Sequence, residues 1–133
     1  MKKSVLIGAV IGIGMGIAIA LLGILNQGAN KPLQSTVNFF GSVPTYFIMA
    51  YNLSTPTGII VFFAYWVIIG VIFGLLVELP VKRRYILIVI FLICFIVAHR
   101  LAQVAMGREM QEIMNSLGQI LKHAFTVRGA TKI

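Results

Sequence analysis

The sequence predicts an all-α integral membrane helical bundle, with three transmembrane helices, interfacial loop helices and a C-terminal amphipathic helix. Three observations predict it. Of 133 residues, 59% are hydrophobic and 11% charged, against roughly 45–50% and about 25% in an ordinary soluble domain. Long stretches carry no charge at all. The 11 Lys and Arg, set against three acids, mostly flank those stretches. A water-soluble fold of this size would lack the polar residues to cover its surface, so apolar surface must be buried in lipid as well as in protein. The length allows one membrane domain, residues 1–133, and no second sizeable one.

The first span covers about 4–25. Ser4 to Leu25 is uncharged, and at about 1.5 Å per residue it reaches roughly 33 Å, enough for a ~30 Å hydrocarbon core. The opening "MKKSVLIG" could also begin a secretory signal peptide. Its apolar run exceeds the usual 7–15 residues, however, and "NQGANKP" offers only a weak cleavage site before Asn30, so a retained span is expected.

The second span, about 57–79, reads "TGIIVFFAYWVIIGVIFGLLVEL", bounded by Pro56 and Pro80. Proline disrupts helix interiors and suits such boundaries. Glu78 falls at the end, beside Lys82, Arg83 and Arg84, where an interfacial ion pair is expected. The third span, about 85–105, starts with "YILIVIFLICFIVA" and then meets His99 and Arg100. A dozen large apolar residues contribute about −0.3 to −0.6 kcal/mol each to insertion, more than the ~3 that one Arg costs. Arg100 can also snorkel toward the surface.

Between the first two spans, residues 33–53 are rich in aromatics, including Phe39, Phe40, Tyr46, Phe47 and Tyr51. Asn38, Ser42, Pro44, Thr45 and Asn52 interrupt every apolar run. Short helices at the membrane–water boundary are expected there. The alternative is a fourth, kinked transmembrane helix from Val37 to Leu53. The tail, 107–125, places Met110, Ile113, Leu117, Ile120 and Ala124 on one helical stripe, with Met114, Leu121 and Phe125 alongside. Glu112, Asn115, Gln119 and Lys122 lie opposite. Lys122 and His123 suit the negative pole of a helix ending near Phe125.

Three spans put the amino end and the Lys82–Arg84 loop on one side, which the positive-inside tendency assigns to the cytoplasm. The basic tail, with Arg108, Lys122, Arg128 and Lys132, then faces outward. A cell membrane, plasma or bacterial inner, is the expected location. The basic flanks suit anionic lipid, and nucleic acid is not expected as a partner.

Small residues recur at helical spacing. Gly8, Gly12, Gly16 and Ala20 are four apart, as are Gly70 and Gly74; Cys94, Ala98 and Ala102 repeat the device in the third span. Helices in lipid associate by close backbone approach, which small residues permit. These are the expected helix-packing residues, within a bundle or an oligomer. Cys94, alone, cannot form an intramolecular disulfide and reads as a packing residue rather than a reactive thiol.

His99, Arg100 and Gln103 form the candidate polar membrane site, since ionisable groups at membrane depth are functional candidates. Their nearness to a span end favours an anchoring role in solvated surroundings. No catalytic residues, metal site or cofactor are expected: His99 and His123 lie far apart, acids are few, and the glycines sit inside a continuous apolar run rather than a phosphate loop. The expected function is that of a non-enzymatic assembly or accessory subunit, forming a homo-oligomer or joining a membrane-protein partner. The alternative is a small pore or transport component; size, few spans and a basic tail look broadly like phage holins.

Overall fold

A computed structural model describes residues 3–25 and 31–130, with side chains as far as Lys122 and without that of Lys31. Four helices account for nearly all of them: α1 (Lys3–Leu25), α2 (Lys31–Ala50), α3 (Thr55–Val77) and α4 (Val81–Ala130). Three helices, α1, α3 and α4, are long and apolar enough to cross a membrane. The chain divides into two compact units, Met1–Gln103 and Val104–Ile133.

Local chemistry sets the helix ends. Pro56 stands at the first turn of α3, where a missing N–H costs nothing, after an extended Ser54. The Ser54 and Thr57 hydroxyls are 2.9 Å apart. Asn52, at φ 47°, turns the chain between α2 and α3, a left-handed conformation that asparagine adopts more readily than most residues. Pro80 separates α3 from α4. There Arg84 Nη1 donates to the Val77 carbonyl at 3.1 Å, serving one of the orphan acceptors at the end of α3.

Within Met1–Gln103, α1 and α3 run antiparallel: Ser4 lies beside Gly74, Gly8 beside Gly70, and Gly12 beside Trp66. Ser4 Oγ also donates to Glu78 Oε1. α2 folds back along α3 from the turn, with Ile48 against Gly58 and the Phe40 ring 6.3 Å from that of Trp66. It also meets α1, where Val37 lies against Gly23.

Two elements differ from the sequence expectation. Most of residues 33–53 belongs to one helix, α2, with Pro44 inside it, not to several short ones, and residues 51–53 form the turn into α3. That helix places Phe40 and Ser42 beside the middle of α3 and against His99, so the Ser42 hydroxyl and the Phe40 carbonyl find partners in protein. The third span and the tail are one unbroken α4 rather than two helices. Gly107, at the start of the expected tail helix, is helical and continuous with the span before it, since glycine lowers helix stability without forbidding it.

In the unit Val104–Ile133, Met110, Ile113, Met114, Leu117, Ile120 and Leu121 are all exposed. Expectations for Lys2, Asn30 and Lys132, and for the side chains of His123, Ala124, Phe125 and Arg128, lie outside the described residues.

Candidate functional site

Two contacts and a cleft concentrate the features of Met1–Gln103. The first contact is a glycine seam. A Cβ on Gly8 would fall onto the Gly70 carbonyl oxygen and lie 3.1 Å from the Gly74 Cα. One on Gly12 would overlap the Trp66 carbonyl, with its carbon 2.9 Å away. The relation is mutual: a Cβ on Gly70 would meet the Gly8 carbonyl, and one on Gly74 the Ser4 carbonyl. Only residues without a side chain let two backbones come this close, and the return is van der Waals contact along the whole seam.

The remaining small residues are placed differently. Gly16 faces the Phe63 and Trp66 side chains, 3.2 and 3.3 Å from a built Cβ, and Ala20 is half-buried. In α4, Ala102 is buried, whereas Cys94 and Ala98 are exposed. Spacing alone does not distinguish these cases, because it says which residues share a face and not what that face meets.

The second contact is a polar hub around His99, which is 0% exposed. Its Nδ1 lies 2.8 Å from the Phe95 carbonyl, one turn back in α4. Its Nε2 lies 3.2 Å from the Tyr65 hydroxyl of α3 and 3.3 Å from the Phe40 carbonyl of α2. Ser42 Oγ sits 3.0 Å from the His99 carbonyl and 2.7 Å from that of Phe39. Rings of Phe39, Phe40, Tyr65 and Phe95 close around the imidazole, Phe95 at 4.0 Å between centroids.

Pro44 explains why the hub forms at Phe40. Proline has no N–H, so the carbonyl four residues earlier, that of Phe40, loses its helical donor. A buried carbonyl without a partner is costly, and His99 Nε2 is the side-chain nitrogen beside it. The proton inventory then has distinct solutions. With the proton on Nδ1, the ring donates to Phe95 and Nε2 accepts from Tyr65. With it on Nε2, the ring donates to Phe40. An imidazolium would donate to both carbonyls.

The three residues of the candidate polar site part company. His99 is enclosed rather than solvated, because α2 and α3 both cover it. Arg100 is exposed, its guanidinium 5.4 Å from the Phe39 ring and Nη1 3.4 Å from Gln103 Oε1. Adjacent helical residues point about 100° apart, so sequence neighbours need not share surroundings. Ser42, Tyr65 and Trp66 were missed by the sequence reading. Tyr65 was the legible signal, a lone hydroxyl inside an apolar span.

Beside both contacts lies a partly open cleft of about 210 Å³, bounded by all four helices. Met15, Phe40, Trp66, Phe73, Phe91 and Phe95 line it, with glycines of the seam at its back. Trp66 is 2% exposed, and its buried indole N–H has no hydrogen-bond partner among the described residues. No three His, Cys, Asp or Glu side chains gather as a metal site among the described residues.

No protein-family model matches the chain, and neither does any curated protein or solved structure. Fold and composition fit the class of helical membrane proteins, with three helices long and apolar enough to cross a membrane.

Proposed function

We propose that this chain is a multi-pass protein of a cell membrane that acts as a non-enzymatic assembly or accessory subunit. α1, α3 and the first half of α4 are its three spans, with the amino end in the cytoplasm. The glycine seam joins α1 to α3 within one chain and leaves partner recognition to other surfaces. The observation that carries the reading is the tail stripe: Met110, Ile113, Met114, Leu117, Ile120 and Leu121 are apolar, on one helical face, and exposed. An apolar stripe of this kind is what a helix presents to a partner.

Purification in mild detergent, with mass measurement and identification of bound proteins, tests this reading. A discrete oligomer or hetero-complex is expected, and Ile113→Lys with Leu117→Lys should abolish it while Gln119→Lys leaves it intact. A monomer indifferent to these changes would overturn the reading. Dye leakage from liposomes holding only this protein would favour the pore instead.

A further inference from the structure

We infer that the cleft between α4 and the α1–α3 seam is a lipid site, taking one acyl chain of an anionic phospholipid from the leaflet that carries Lys82 and Arg83. Only membrane embedding is required for it, not the assembly reading.

The occupant follows from the lining, the depth and the charge. The wall is apolar, with five aromatic rings set among aliphatic side chains and glycines, and offers an intruding molecule almost nothing to hydrogen-bond. Water gains little in such a space, whereas a hydrocarbon chain gains dispersion contacts along its walls. The depth suits one leaflet. Phe73 and Phe91 lie toward the helix ends joined by Ser4, Glu78 and Arg84, while Met15, Trp66 and Phe95 lie toward the middle. At 1.5 Å per residue, the run from Arg84 to Phe95 spans about 16 Å, close to half of a ~30 Å hydrocarbon core. The Trp66–Phe95–Phe40 group, with rings 6.3 Å apart, forms the floor.

Charge selects the headgroup. Lys3, Lys82 and Arg83 are exposed at that same end. Arg84 is partly engaged by the Val77 carbonyl, and Glu78, the one acidic side chain there among the described residues, receives the Ser4 hydroxyl. The balance is cationic, so a headgroup with net negative charge is preferred over a zwitterionic one. Each Lys or Arg near an anionic headgroup is worth a factor of roughly five in affinity.

Trp66, the only tryptophan in the chain, reports directly on the cleft. The full chain is reconstituted in phosphatidylcholine vesicles with increasing fractions of phosphatidylglycerol or phosphatidylcholine brominated on the acyl chains, and Trp66 fluorescence is followed. Quenching by the brominated phosphatidylglycerol should be half-complete at a mole fraction roughly 25-fold lower than for phosphatidylcholine, a factor of about five from each of Lys82 and Arg83. Lys82→Gln with Arg83→Gln should bring the two curves together. Leu92→Phe, which narrows the cleft, should lower quenching by both lipids without moving the emission maximum that reports the fold. Coincident curves for the unaltered chain would overturn the proposal, as would a preference that survives Leu92→Phe, which would put the anionic lipid at the surface. No quenching by either lipid would also overturn it, and would mean that a second copy or a partner helix covers the cleft.

Discussion

The α1–α3 seam and the His99 hub join helices of the same unit with opposite materials. In the seam, side chains are missing: Gly8, Gly12, Gly70 and Gly74 bring carbonyls onto facing backbone. In the hub, side chains do the joining, with α2 and α3 reaching α4 through Ser42, Tyr65 and the imidazole of His99. The seam therefore has almost no tolerance for added volume, since backbone cannot move aside. The hub tolerates changes of shape better but depends on each donor finding its acceptor. One contact is limited by space and the other by hydrogen bonding.

The sharpest way to break this contrast is Gly12→Leu. Its side chain would enter the space of the Trp66 carbonyl, so destabilisation should reach about 3 kcal/mol or more, at the upper end of overpacking costs. Reversible denaturant unfolding in detergent micelles measures it. His99→Leu should come next. It leaves the Phe40 carbonyl or the Tyr65 hydroxyl, according to the tautomer, without its ring partner, at a cost of roughly 1–3 kcal/mol. Loss of stability by Gly12→Leu no larger than by His99→Leu would erase the distinction between the two contacts.

Tyr65→Phe sharpens the hub alone. It removes one hydroxyl 3.2 Å from Nε2 and leaves the ring, so about 0.6 kcal/mol is expected, the average for hydrogen bonds between helices in a membrane. Its effect should be absent in a His99→Leu background, because the two groups share one interaction. Ile13→Leu should do least. Ile13 is 43% exposed on the first helix, and a surface change of this kind stays within about 0.5 kcal/mol.

The two contacts also differ in how far the sequence announces them. Glycines four apart in an uncharged run mark one face of a helix, and Gly8, Gly12, Gly70 and Gly74 stand out in the sequence before any fold is known. Which helix meets which is not written in the spacing. Gly16 shares the face of Gly12 yet meets aromatic rings, and Cys94 shares the spacing yet is exposed. The hub was half visible. His99 drew attention as an ionisable group in an apolar run, but its burial depends on α2, whose polar residues pointed to a boundary location. Pro44 was read as an interruption. In the fold it releases the Phe40 carbonyl that His99 can meet, a pairing between residues too distant in sequence for local pattern to reveal. The three long apolar helices were legible because length and absence of charge are local properties; the continuity of α4 through Gly107 was not, because glycine permits a helix without requiring its end.

The central claim is that α1 and α3 close antiparallel within one chain, and spin-label distances in liposomes test it most directly. With Cys94→Ser removing the native thiol, labels go on exposed positions, Leu6 with Leu75 in one sample and Leu6 with Ile59 in another. The account predicts a short distance for the first pair and a clearly longer one for the second, whose label on α3 sits about 24 Å further along the helix at 1.5 Å per residue. Both should persist when labelled protein is diluted with unlabelled. Equal distances, or a short distance that vanishes on dilution, would contradict it.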